Sequence, residues 1–199
     1  MTADLFLALV AYAFVTSVTP GPNNIMLLAS GVNFGFRRTL PHMFGIALGH
    51  AFMVFVVGIG LVGMFISYPP ARSALMVVSV VYMLWLAWKI AHAAPPEGST
   101  TQGSPLTFLQ AAAFQWVNPK AWIMALGAVT LYAPGQEWLA VAWVAGGFVL
   151  VNFPSVALWA LAGTGLRRLL DDPRWLRGFN YTMAILLVAS LWPVLASGY

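Results

Sequence analysis

Charge in this chain is confined to a few short stretches, and the intervals between them are long and apolar. Residues 5–36, 39–71, 73–88, 98–119, 138–166 and 178–199 contain no Asp, Glu, Lys or Arg. A helix that crosses a bilayer needs about 20 consecutive apolar residues, so the intervals correspond to six spans. Turn residues trim them to helices over 5–32, 40–67, 72–92, 106–132, 138–165 and 179–197. A closed β-barrel would instead alternate apolar and polar residues in segments of about ten; these runs are continuously apolar, which selects helices. Of the 199 residues, 61% are apolar and 7% charged, whereas soluble domains carry roughly 25% charged residues. A water-soluble globule, a disordered tail and a coiled coil are excluded. The fold class expected is an all-α membrane protein with little mass outside the bilayer.

The net charge is +4, but nine Lys and Arg spread along the chain form no basic stripe for nucleic acid. They read better as loop charges facing an anionic cytoplasmic leaflet. Arg37 and Arg38 fall in the first loop, Lys89 borders the third, and Arg167, Arg168, Arg174 and Arg177 mark the fifth. The even-numbered loops hold Arg72 alone. Odd loops inside give six helices with both termini outside; a five-span arrangement would need one run to be re-entrant. Asp4 stands where a secretory signal would carry Lys or Arg, so Leu5 onward is expected to be the first span. The absence of cysteine excludes disulfides, thiolate metal sites and thiol catalysis.

Residues 93–105, Ala-Ala-Pro-Pro-Glu-Gly-Ser-Thr-Thr-Gln-Gly-Ser-Pro, are the one linker-like stretch. They divide a single transmembrane domain, 1–199, into a first repeat over 1–92 and a second over 106–199. Three helices per half force the second half to enter from the opposite face, which is the arithmetic of an inverted repeat. A weak echo accompanies it: Thr19-Pro20 and Asn118-Pro119 each sit near the middle of their half's first helix, followed by Ile25-Met26-Leu27-Leu28 and Ile123-Met124-Ala125-Leu126.

Two prolines around a glycine in Thr19-Pro20-Gly21-Pro22-Asn23-Asn24 exceed what a kink needs. The stretch should unwind, leaving free carbonyls behind it and free N–H groups ahead. Non-helical backbone at membrane depth persists only where protein or a polar cavity covers it, so the alternatives are a packed structural kink and a substrate or ion site. The second break, Asn118-Pro119-Lys120, places a cation near mid-span, at a cost of about 2.5–3.5 kcal/mol on insertion scales. The lysine stem covers only about half the distance from the midplane of a ~30 Å core to the headgroups, so Lys120 is expected to face the bundle interior. Asp4, Glu97, Glu137, Asp171 and Asp172 are all terminal or in loops and offer it no partner. An unpaired cation beside the positive end of a half-helix calls for an anion.

Thr-Pro-Gly-Pro-Asn-Asn at 19–24, Asn33-Phe34-Gly35-Phe36-Arg37, Gly45, Gly49, Leu86-Ala87-Trp88-Lys89-Ile90 and Phe114-Gln115-Trp116-Val117-Asn118-Pro119-Lys120 together resemble the LysE/RhtB family of amino-acid exporters, over essentially the whole chain. The resemblance implies a secondary exporter in the bacterial cytoplasmic membrane, driven by proton antiport. The Pro-Gly-Pro-Asn-Asn form is similar to the branch that exports cysteine and O-acetylserine. Some relatives carry Asp after Pro-Gly-Pro where this chain has Asn23, which puts acid-dependent coupling there in doubt.

The residues constrain the cargo independently. A cationic side chain in low dielectric needs a buried carboxylate, and none lies in a span core, so a small neutral amino acid or derivative fits better. Divalent metals would want acidic or thiol ligands. In the working arrangement, Lys120 and the half-helix N-terminus at Asn23 and Asn24 bind the substrate carboxylate. Asn118 and the carbonyls around Thr19 and Pro20 hold its ammonium, and the segments containing Gly21, Pro22 and Pro119 act as hinges. His50 is a candidate proton carrier, the alternative for it and His42 being a neutral ring donating to a carbonyl. The expected partners are a small-molecule amino acid and the lipid bilayer, with a homodimer left open; no nucleic acid, metal or cofactor is expected.

Other patterns are read as structure. Gly45 and Gly49 are spaced for close helix packing. Gly58-Ile59-Gly60-Leu61-Val62-Gly63 matches a dinucleotide fingerprint as a string but follows no strand, and Asn180-Tyr181-Thr182 is a glycosylation string on the expected cytoplasmic edge. Asn152-Phe153-Pro154 marks a kink or a site contribution in the fifth helix, and Trp138, Trp175 and Trp192 suit interfacial anchoring. The rival classes are a membrane-embedded enzyme, which lacks a nucleophile–base or acid constellation, and a non-transporting scaffold, which has no use for a mid-span lysine.

Overall fold

The computed structural model describes residues 1–61, 69–93, 103–135, 137–170 and 172–192. Its helices are α1 (Ala3–Val18), α2 (Pro22–Phe34), α3 (Phe36–Val56), α4 (Pro69–Ala91), α5 (Phe108–Val117), α6 (Pro119–Tyr132), α7 (Trp138–Arg167) and α8 (Pro173–Ala189), and α3 runs on into a wider π turn at Val57–Leu61. No strand occurs among the described residues. Phe36–Leu61, Ser73–Ala91 and α7 are each long and apolar enough to cross a membrane, and α1 with α2 makes a fourth such unit bent by 57°. At 1.5 Å per residue, α1 and α2 are ~24 and ~20 Å long, so their break falls near the middle of that unit.

Both breaks follow from proline chemistry. Pro22 and Pro119 occupy first-turn positions of α2 and α6, where a missing N–H costs nothing. The residues before them, Gly21 and Asn118, are extended, as a residue preceding proline prefers.

The loops differ from expectation in two places. Instead of a loop over 33–39, the single residue Gly35 joins α2 to α3, at φ +78°, a conformation open to glycine at little cost. Arg37 and Arg38 therefore lie in the first turn of α3, and Pro41 sits inside that helix. The last helix starts at Pro173 rather than 179, because Asp172 caps it by accepting from the Arg174 N–H at 2.7 Å. The expected end of the second helix near 67, most of the linker (94–102) and the end of the last helix (193–197) lie outside the described residues.

At the centre, α3 packs on α5 and α7, and α2 packs along α7. Glycines permit these approaches. A Cβ at Gly31 would strike the Ala160 carbonyl of α7, and one at Gly163 the Leu28 carbonyl of α2; Gly45 and Gly49 face Phe108, Ala111 and Ala112 of α5 in the same way. Of the thirteen α2 residues, all but Asn23, Leu28 and Phe34 are buried. Trp138, Trp175 and Trp192 are exposed at helix ends. Gly58 packs against Val141 and Val129, and Gly60 (φ +123°) lies in the π turn, so the glycine string is a helix end; its Val62 and Gly63 lie outside the described residues.

Candidate functional site

The chain brings its two breaks together. Lys120, in the first turn of α6, directs its ammonium to the carbonyl oxygen of Thr19 at 2.6 Å, the Thr19 hydroxyl at 3.0 Å and the Pro20 carbonyl at 3.3 Å. The cation expected without an acidic partner is thus hydrogen-bonded rather than free. With no carboxylate in reach, the ammonium takes the strongest acceptors available, carbonyls released by the unwound turn. Gly21 gives the lysine stem its room, since a Cβ there would lie 2.6 Å from Lys120 Cδ.

The other carbonyls at the end of α1 are also engaged. Val15 accepts from the Thr19 N–H, Thr16 from the Thr19 hydroxyl, Ser17 from the Asn24 amide and Val18 from the Trp159 indole. Asn24 also donates to the Thr19 carbonyl at 2.8 Å. These acceptors are not free, contrary to the sequence expectation, because buried backbone groups recruit whatever donors the fold supplies.

The donors ahead of the break are different. No side chain caps the N-terminus of α2, and Gly21 is its N-cap. The N–H groups of Asn23 and Asn24 thus stand at the positive end of a buried half-helix, an arrangement suited to a carboxylate. The N-terminus of α6 is closed instead, the Asn118 side chain accepting from the Lys120 N–H at 3.1 Å. The Asn23 amide exchanges two hydrogen bonds with Gln115, at 2.9 and 3.1 Å, tying α2 to α5.

Gly21, Asn23, Asn24, Asn118, Lys120 and His50 share one cleft with Thr16, Ser17, Met124 and Asn152. Thr19 and Pro20 are exposed and reach the cleft through Lys120, while Pro22 and Pro119 set backbone geometry beside it. His50 is buried, with Nε2 3.3 Å from the Ala121 carbonyl, its ring edge-on to Phe148, and no partner for Nδ1. The enclosed volume is about 20 Å³, room for about one water. Among the described residues no Asp or Glu lines it.

Sequence reasoning did not single out Gln115, Ser17 or Trp159. The buried Ser17 hydroxyl has no partner, and Asn152, a residue left between kink and site, lines the cleft from α7 while the helix runs on through Pro154. A polar residue inside an apolar helix was the available signal for Gln115, Ser17 and Asn152, but only the fold says which faces converge. Asn180, dismissed with its glycosylation string, is buried and exchanges two amide hydrogen bonds with Asn33 at 2.8 and 3.1 Å.

The cysteine/O-acetylserine efflux proteins of Escherichia coli strain K12 and Shigella sonnei strain Ss046 are each 35% identical over 193 residues, 94% of this chain and 96% of the relative. That of Escherichia coli O139:H28 is 34% identical over the same length. No solved structure matches. The family model described as LysE type translocator matches residues 14–190, and the chain therefore belongs to the LysE type translocators, membrane transporters rather than enzymes.

Proposed function

We propose that this chain is a secondary active exporter of small neutral amino acids or their derivatives, with O-acetylserine and cysteine as the first candidates. The observation that carries the reading is Lys120 seated on the Thr19 and Pro20 carbonyls beside the uncapped N-terminus of α2. The cleft thus accommodates an ammonium at one end and offers N–H donors for a carboxylate at the other. The names of the 35% identical relatives support the substrate class.

In this mechanism the substrate's ammonium displaces that of Lys120 from Thr19 and Pro20. Lys120 then swings toward the carboxylate, which the N–H groups of Asn23 and Asn24 also hold. A zwitterion adds no net charge to a cleft that already holds one cation and no acid. A lysine-like substrate would add a second, uncompensated charge and is disfavoured. The volume of about 20 Å³ requires the cleft to open, and the extended residues at Gly21 and Asn118 are the hinges. His50 is the proposed proton carrier of an antiport cycle, since it and Lys120 are the titratable side chains lining the cleft.

The chain works in the bacterial cytoplasmic membrane as six spans with both termini outside, a first repeat over 1–92 and a second over 106–199 joined by a cytoplasmic linker over 93–105. One equivalent contact supports this repeat, α5 lying against α3 as α1 lies against α7, while α2 packs far more closely on α7 than α6 does on α3; each half opens with a proline-broken helix pair. The test is efflux of O-acetyl-L-serine and cysteine from loaded cells. Expression should raise efflux, and Lys120→Met at equal abundance should return it to the level of cells lacking the protein. Unchanged efflux by the variant would remove Lys120 from the mechanism.

A further inference from the structure

A second cavity, of about 260 Å³, lies between α2, α3, α4 and the segment before α5. It approaches the ~300 Å³ lower bound of small-molecule pockets and is far larger than the central cleft. It sits at the basic end of the molecule: Lys89 lines it, Arg38 donates to the carbonyl of Gly103 on its wall, and Arg167 lies near Gly35 just beyond. Among the described residues no Asp or Glu lines it.

His42 is the informative side chain. It lines this cavity at 2% exposure, and neither ring nitrogen has a hydrogen-bond partner. Buried polar groups in that condition are rare and costly, and a ligand oxygen at the cavity wall would satisfy one. Lys89 supplies charge beside it, its ammonium resting 5.5 Å from the centre of the Trp85 ring. The C-terminal turn of α2, with Ser30 and Asn33, also lines the cavity, and the negative dipole end of a helix favours an ammonium. A cation and a helix C-terminus in the lining of one cavity complement a zwitterion.

The two cavities share α3. His42, Ile46 and His50 lie four residues apart on one helix face, so the histidines are separated by about 12 Å along the axis, with the fully buried Ile46 between them. We propose that the 260 Å³ cavity is a second amino-acid site, an antechamber that holds the substrate carboxylate on His42 and Lys89 before it passes Ile46 into the central cleft. This inference rests on the export reading above.

The chain has no cysteine, so single thiols test it cleanly: Ala29→Cys in the second cavity, Met124→Cys in the central cleft and Ser104→Cys at the mouth. Each variant in proteoliposomes is treated with negatively and positively charged methanethiosulfonates of similar size. Ala29→Cys should react about tenfold or more faster with the anionic reagent, since the charge of Lys89 in the lining concentrates anions in the cavity. Excess O-acetyl-L-serine should slow that reaction severalfold, also in a Lys120→Met background, and His42→Ala should abolish the protection while sparing that of Met124→Cys. Equal rates with both reagents, or no reaction at Ala29→Cys where Ser104→Cys reacts, overturns the proposal. Protection of Met124→Cys alone overturns the antechamber and leaves the central site standing; protection of Ala29→Cys alone does the reverse. Protection of neither overturns both.

Discussion

A lysine ammonium deep in an apolar chain must find oxygen, and Lys120 finds three acceptors at one unwound turn. That lysine and the asparagines after Pro-Gly-Pro were legible in the sequence because a mid-span charge and clustered helix breakers are local anomalies. Gln115 was not, since its role depends on an amide 92 residues away. Replacing it by leucine leaves the half-buried Asn23 amide without its two hydrogen bonds, and Asn23→Ala strands the carbonyl oxygen of the buried Gln115 amide, where an unsatisfied buried group costs about 1–3 kcal/mol. Thermal unfolding in detergent should show Gln115→Leu and Asn23→Ala each destabilising, and the double variant costing clearly less than the sum of the two. Additive costs would mean that the pair does not act as a unit.

Among the elements, α2 carries the architecture. Reciprocal amide pairs hold it near both ends, Asn23 with Gln115 and Asn33 with Asn180. Gly31 and Gly163 let its flank meet α7 backbone to backbone. The proline breaks were readable because proline acts on its own turn. The Gly31–Gly163 crossing was not, because small residues scattered through apolar helices do not name their partners. The first loop was misjudged for a related reason: Gly35 alone turns the chain, which a charged pair at 37–38 conceals. Gly31→Ala and Gly163→Ala each force a methyl against a backbone carbonyl that has no rotamer to yield, an overpacking cost of about 1–3 kcal/mol. Abundance in membranes and thermal stability should fall for both variants, while Gly146→Ala, with nothing near its added Cβ, should match the parent.

At the scale of the molecule, uncharged runs announced a helical membrane protein, and Arg38, Lys89 and Arg167 gather at one end, the asymmetry that the sequence used to assign an inside. What stayed hidden was convergence: Thr19 and Lys120, 101 residues apart, belong to different halves, and only packing places the cation of one on the broken backbone of the other. Exchange of that internal ammonium for the substrate's is the core of the proposed transport cycle. Lys89 and Lys120 are the two lysines of the chain, so protein carrying ¹⁵N at its lysine side-chain nitrogens has two ammonium signals, assigned by Lys120→Arg. Titration with O-acetyl-L-serine should move the Lys120 signal saturably as the ammonium leaves the Thr19 and Pro20 carbonyls for a carboxylate. A Lys120 signal that stays in place while the same preparation transports the substrate would contradict the exchange.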